Sequence, residues 1–254
     1  MFSEHSRRQT GATGFVAPRA ATLRFLVFLA SWRFKIIDFM NTVAVIDYGM
    51  GNLRSVCKAI EHVAPKARVQ LTAAASDIRA ASRVVFPGQG AIGGCMAALE
   101  TGRLRESLLE AMKTKPFLGI CLGLQALYDF SEEGGGTPCL SLLAGAVKRF
   151  PPSMMVDKAG GLPLKVPHMG WNQVRQTVTH PLWNGIPQDS RFYFVHSYYA
   201  DSADAHNIAG ETEYALRFTS AAARENIFAV QFHPEKSQRA GLRLLENFMS
   251  WDGN

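Results

Sequence analysis

With 254 residues, 47% of them hydrophobic, the chain has enough material to bury one full α/β core. A net charge of +6 hints at a polyanion partner only until it is located: residues 1–39 carry six basic and two acidic side chains, and the remainder 21 and 19. The body is therefore nearly neutral, which discounts nucleic acid as its partner. Cys57, Cys95, Cys121 and Cys139 stand at irregular spacings without a Cys-x-x-Cys pair, so neither a zinc site nor a redox dithiol is expected. A chain of this length needs no disulfide staples, and reduced thiols in a cytoplasmic protein are the simplest account.

Residues 1–39 show no clean helical or strand period. The apolar run from Phe25 to Trp32 is far short of the roughly 20 residues that a membrane span needs. Basic residues precede it as in a signal peptide, but Arg33-Phe34-Lys35 follows in place of a small-x-small cleavage pattern. Met40 stands immediately before the first convincing strand. Residues 1–39 are thus expected to be a disordered extension or a mis-assigned start, and residues 40–254 a single domain.

Thr42 to Ile46 is a β-branched run closed by Asp47-Tyr48-Gly49-Met50-Gly51-Asn52, which predicts a buried strand entering a glycine loop. Gly49-x-Gly51 lacks the third glycine of a dinucleotide fingerprint, Arg54 standing there, and so reads as a tight turn. Leu53, Val56, Cys57 and Ile60 follow at helical spacing, which directs Cys57 to the core. A strand at Arg83–Phe86 ends in Pro87-Gly88-Gln89-Gly90, helices are predicted around 91–100 and 103–113, and another strand begins at Phe117. Strand alternating with helix is the pattern of a parallel sheet, with functional loops at the carboxyl edges of its strands.

The Phe117 strand ends in Gly119-Ile120-Cys121-Leu122-Gly123. Glycines on both sides of one residue allow a sharp strand-to-helix elbow, and Cys121 would be held at the strand's edge where a helix dipole favours its thiolate. This motif alone fits a buried cysteine beside a glycine turn equally well. Beyond an exposed loop at 131–136, short strands are predicted near 145–150, 172–178, 192–199, 207–218 and 227–232. They extend the sheet or form an antiparallel layer. A helix over about 237–250 closes the chain, with Leu242, Leu245, Phe248 and Met249 inward. The strand Ile227–Phe232 delivers His233-Pro234-Glu235 to a loop. Two residues apart in extended chain, Glu235 can stand behind His233 and hold its ring, which gives a thiol nucleophile the base and acid it needs.

These motifs together resemble the class I, triad-type glutamine amidotransferases. More narrowly, the Asp47–Asn52 run, His168-Met169-Gly170-Trp171-Asn172, Tyr193-Phe194-Val195-His196-Ser197-Tyr198 and Gln231–Ser237 resemble the glutaminase subunits of imidazole glycerol phosphate synthases, over residues 40 to 251. The resemblance implies a flavodoxin-like α/β fold, with a mostly parallel central sheet flanked by helices and an additional antiparallel strand layer. It implies free glutamine as substrate, Cys121, His233 and Glu235 as catalytic triad, and no cofactor or metal. Backbone N–H groups of Gly88, Gln89, Gly90 and Leu122 would form the oxyanion hole, with Gln89 where the family usually carries Val. Gln125, Glu133, Ser197 and Tyr198 would hold the amino-acid end of glutamine. It also implies a (β/α)₈-barrel cyclase partner that receives the ammonia, with Asn52, Met169, Trp171, Tyr193 and Lys236 as interface candidates. Met169 and Trp171 fit core packing equally well, and His168 and His196 read as structural or interfacial.

Three other readings compete with this one. Anthranilate and guanylate synthetase glutaminases usually carry His where this chain has Leu124. A cysteine peptidase or γ-glutamyl hydrolase would use the same triad without a partner. A non-catalytic module would not need Cys121, His233 and Glu235 together.

Overall fold

The computed structural model describes residues 42–49, 53–155 and 163–254, all within one unit, Asp38–Asn254. The expected extension over residues 1–39 and the interface candidate Asn52 lie outside the described residues.

The first strand, β1 (Thr42–Ile46), sends Val43 and Val45 into one core and Ala44 and Ile46 into another. Side chains alternate across a strand, so a continuous apolar run marks one that is covered on both faces. Helix α1 (Leu53–Val63) packs Val56 and Ile60 against the first of these cores, while Cys57, expected inside, is half-buried at its margin. Two elements then appear that the sequence did not announce, β2 (Arg68–Thr72) and α2 (Ala75–Ala80). β2 is the edge of the sheet, paired only to β1, and all its side chains but Thr72 are exposed or half-buried, so it lacks an apolar run.

β3 (Arg83–Gly88), α3 (Ile92–Thr101), α4 (Arg105–Thr114) and β4 (Phe117–Cys121) follow as expected. After a single turn, α5 (Leu122–Gln125), the chain builds β5 (Tyr128–Ser131), β6 (Thr137–Pro138), β7 (Leu143–Arg149), β8 (His168–Gln173) and β9 (Arg175–Gln176). β10 (Arg191–His196), β11 (Tyr198–Ser202), β12 (Ile208–Tyr214), β13 (Leu216–Arg224), β14 (Ile227–Val230) and α6 (Gln238–Ser250) complete it. Three predicted strands are each two: the breaks fall at Val174, Ser197 and Ala215, the last at φ +61°. Nothing in an alanine's chemistry signals a turn, and the break is made by the backbone.

Among the described residues the main sheet runs β2-β1-β3-β4-β14-β13-β11-β7-β5-β6, with β12 bonded to β13 and β9. β2, β1, β3, β4 and β14 are parallel. Beyond β14 the pairs with β13, β11 and β7 are antiparallel, so most of the late strands prolong the same sheet. β8 and β10 form a separate antiparallel ribbon. The helices α3 and α4 cover one face of the sheet and α1 and α6 the other. In α6 the buried side chains are Leu244, Leu245 and Phe248, while Leu242 and Met249 sit at the margin. Gly241 joins these three at the i, i+3, i+4, i+7 spacing of one helical face, and Leu242 falls off it. No helix among the described residues is long and apolar enough to cross a membrane.

Candidate active site

The parallel register brings three strand ends together. Gly88 pairs with Cys121 across β3 and β4, and Ile120 pairs with Val230 across β4 and β14. The loops that continue β3, β4 and β14 therefore meet at one rim, the usual place for a site in such a sheet.

Cys121 has φ +56° and ψ −103°, a conformation costly for any residue with a side chain. Packing holds it there. A Cβ on Gly123 would lie 1.9 Å from the Phe86 carbonyl oxygen, and one on Gly119 would lie 2.8 Å from the Gly123 carbonyl oxygen and 2.9 Å from Ala229 Cβ. The chain can double back after Cys121 only because these positions are bare, which is why the elbow carries both glycines. The helix that follows is a single turn, α5, so its dipole contributes less to the thiolate than the sequence pattern suggested.

His233 stands beyond the end of β14. Its backbone N–H donates to the Tyr193 carbonyl at 2.9 Å and its carbonyl accepts the Ser237 hydroxyl at 2.6 Å, so β10 and the start of α6 fix its position. Nδ1 is 2.9 Å from Glu235 Oε1, and both side chains are 2% exposed. Nε2, without a partner of good hydrogen-bond geometry among the described residues, faces the Cys121 thiol. Burial works to lower the basicity of His233, but the negative charge of Cys121 and then the hydrogen bond and charge of Glu235 overcome it, and its pKa is pushed up to about 10. An imidazolium held between a sulfur and a carboxylate is the arrangement of an activated cysteine nucleophile.

A cavity of about 340 Å³ opens over the triad, lined by Cys121, His233, Gln89, Gly90, Leu122, Gln125, Glu133, Ser197 and Tyr198, with Pro167, Val195 and His196. Of the four expected oxyanion residues, Gln89, Gly90 and Leu122 border this cavity. Gly88 lies behind it, where a Cβ would fall 2.7 Å from Leu122 Cβ and 2.1 Å from the buried Tyr48 hydroxyl. Gly90 has φ +96°, open to glycine and strained for other residues.

The four expected substrate contacts also line the cavity, with two refinements. Gln125 is 4% exposed, and its amide donates to the Tyr198 carbonyl and to Gln231 Oε1, each at 3.0 Å, so it is part of the wall's internal bonding. Glu133 is not merely solvated: its carboxylate accepts the N–H of Ile92, the first residue of α3, at 2.9 Å. Sequence reasoning passed over Gln231, fully buried, with Nε2 3.6 Å from Cys121 Sγ. Alternation along an extended segment puts residues 231 and 233 on one side, but nothing local says that this side meets Cys121, 110 residues away.

The interface candidates separate clearly from the core. Met169 is 61% exposed and Trp171 42%. In the β8–β10 ribbon they pair with Val195 and Tyr193, the Trp171 and Tyr193 rings are 6.1 Å apart edge to face, and Lys236 Nζ lies 6.0 Å from the Tyr193 ring centre. Core packing is therefore excluded for Met169 and Trp171. A larger groove, about 660 Å³ and lined by residues including His62, Ile186, Arg239 and Glu246, contains no part of the triad.

The class-I glutamine amidotransferase family model matches residues 44–251. The chain is 60% identical over 212 residues to imidazole glycerol phosphate synthase subunit HisH of Aromatoleum aromaticum, covering 84% of this chain and 99% of that protein. It is 57% identical over 213 residues to the subunit of the same name from Nitrosomonas europaea, again covering 84% and 99%. A crystal structure of a glutamine amidotransferase superposes with a TM-score of 0.60 at 14% identity, over 82% of this chain and 99% of that one, a likeness of fold.

Proposed function

The chain belongs to the class-I glutamine amidotransferases, and on that premise we propose that residues 40–254 act as one domain, the glutaminase subunit of an imidazole glycerol phosphate synthase in histidine biosynthesis. The observation that carries the reading is His233, buried between Cys121 and Glu235 at the wall of a cavity fit for an amino acid.

In this reading Cys121 Sγ attacks the side-chain amide carbon of glutamine. The tetrahedral oxyanion is met by backbone N–H groups of the Gly88-Gln89-Gly90 loop and of Leu122, each donor worth about 3 kcal/mol of barrier. His233 delivers its proton to the amide nitrogen, the C–N bond breaks and ammonia leaves from a thioester. His233 then takes a proton from water, which attacks the thioester and releases glutamate and the free thiol. Glu235 holds the ring and supports its cation without becoming the proton's carrier. Gln125, Glu133, Ser197 and Tyr198 hold the amino-acid end.

Ammonia released into water is lost, so the chemistry calls for a receiver. The partner is a (β/α)₈-barrel cyclase, joined as a cytoplasmic heterodimer, which combines the ammonia with a phosphoribulosyl formimino carboxamide ribonucleotide to yield imidazole glycerol phosphate and aminoimidazole carboxamide ribonucleotide. Supporting this is the exposed ribbon face of Met169, Trp171 and Tyr193, with Lys236 beside it and Val195 shared with the cavity; Asn52 completes the proposed contact. The test is Cys121→Ala in the assembled enzyme. Glutamine-dependent synthesis should vanish while synthesis from added ammonium salt continues, and persistence of the glutamine-dependent reaction would overturn the nucleophile assignment.

A further inference from the structure

The inner side of the β8–β10 ribbon carries a line of hydrogen bonds that the triad chemistry does not use. Asn172 Nδ2 is 3.3 Å from His168 Nε2, His168 Nδ1 is 2.9 Å from His196 Nε2, and His196 Nδ1 is 2.8 Å from the Tyr198 carbonyl oxygen. The last contact orders the others. A carbonyl only accepts, so His196 carries its proton on Nδ1, and Nε2 of the neutral ring must accept. His168 therefore donates from Nδ1, which leaves its Nε2 to accept from the Asn172 amide. Asn172 is itself oriented, since Nδ2 also donates to the Glu213 carbonyl at 3.0 Å and Oδ1 accepts the Gln173 N–H at 2.8 Å.

Both rings are buried, 3% and 6% exposed, and His168 lies flat between Phe194 and Tyr214. Burial lowers the pKa of His168 to about 4; for His196, burial and then the neighbouring His168 lower it to about 3. Both rings are thus neutral at physiological pH, as the donor order requires.

The line continues to the nucleophile. The Tyr198 carbonyl that accepts from His196 also accepts from Gln125, Gln125 donates to Gln231, and the Gln231 amide faces Cys121 Sγ at 3.6 Å. We propose that His168 and His196 are positioning residues for glutamine hydrolysis: by pinning the Tyr198 carbonyl they set Gln125 and Gln231 so that the Gln231 N–H supports negative charge on Cys121. The same ribbon presents Met169 and Trp171 on its outer side, so its seating and the thiol's environment are mechanically joined. This rests on Cys121 being the nucleophile.

The experiment compares His196→Leu with His196→Asn in the two-subunit enzyme. Leucine removes both donor and acceptor, whereas asparagine restores an N–H near the Nδ1 position. The leucine variant should lose roughly 10- to 100-fold in kcat/KM for glutamine, mostly in kcat, and the asparagine variant should recover most of it. Ammonium-dependent synthesis should be unchanged in both. Iodoacetamide alkylation of Cys121, read against Cys121→Ala as blank, should need a higher pH in the leucine variant. Should leucine prevent folding, His168→Gln, which loses the Nδ1 donor, against His168→Asn, which keeps it, poses the same contrast. Wild-type kcat/KM and an unmoved alkylation profile in the donor-less variant, or equal losses in both members of a pair, would overturn the proposal. Failure of the nucleophile reading would show separately, as glutamine turnover surviving in Cys121→Ala.

Discussion

At the scale of single residues, Cys121 is held in its strained conformation by what surrounds it and not by its own preference. A strained φ of this kind costs on the order of 1–3 kcal/mol and persists only where packing over-determines it. Of the elbow's two glycines Gly123 has the less room, since a Cβ there would lie 1.9 Å from the Phe86 carbonyl oxygen. Gly123→Ala should therefore destabilise the fold by about 3 kcal/mol or more, a drop of roughly 6–12 °C in Tm for a chain of this size. Scanning calorimetry of the free subunit measures it; an unchanged Tm would mean that the elbow can relax away from Phe86.

Among the elements, the β8–β10 ribbon has two faces with different work. One side buries His168, Phe194 and His196 in aromatic contact with Phe150 and Phe218. The other leaves Met169 and Trp171 in solvent beside the catalytic cavity. A tryptophan exposed at an apolar patch is the sort of side chain that carries a disproportionate share of binding energy. Trp171→Ala should weaken association with the partner subunit at least tenfold, equal to about 1.4 kcal/mol, while leaving the free subunit's Tm within a degree or two. Titration calorimetry supplies the first quantity and thermal melting the second. Undiminished affinity would remove this face from the interface.

For the molecule as a whole, buried and half-buried histidines shifted in opposite directions shape the response to pH. His168 and His180, by burial, have pKa values lowered to about 4, and His196 to about 3. The unfolded chain takes up these protons near pH 6.5. The stability that these groups contribute is therefore complete above about pH 6.5 and erodes as pH falls towards 4 and 3, on the order of 3 kcal/mol for His168 alone. His233 runs the other way: with its pKa pushed up to about 10 despite burial, its contribution is complete below about pH 6.5 and is lost as pH rises through 10. Urea midpoints taken from pH 4 to pH 10 should peak near neutrality. His233→Asn should flatten the alkaline limb and His168→Asn part of the acid limb; limbs unchanged in these variants would assign the pH dependence to other groups.

Strands β1, β3 and β4 of the parallel sheet, the elbow at Cys121 and the His233–Glu235 pair are legible in the amino-acid order alone. Those features are local: an apolar run, two glycines four residues apart with Cys121 midway between them, and two side chains sharing one side of extended chain. Sequence reasoning missed β2, whose edge position leaves no apolar run, and it merged strands that part at Val174, Ser197 and Ala215, where the break lies in backbone angles. Which way Met169 and Trp171 face emerges from the packing of the ribbon, because strand alternation fixes opposite sides without saying which side is covered. The tertiary structure alone enlisted Gln231, His168 and His196 beside the site, and turned Gln125 and Glu133 towards internal partners as well as the cavity. The contacts that set these roles span from 28 residues, for His168 and His196, to 110, for Gln231 and Cys121, and a hydrogen bond across such a distance has no local signature in the chain.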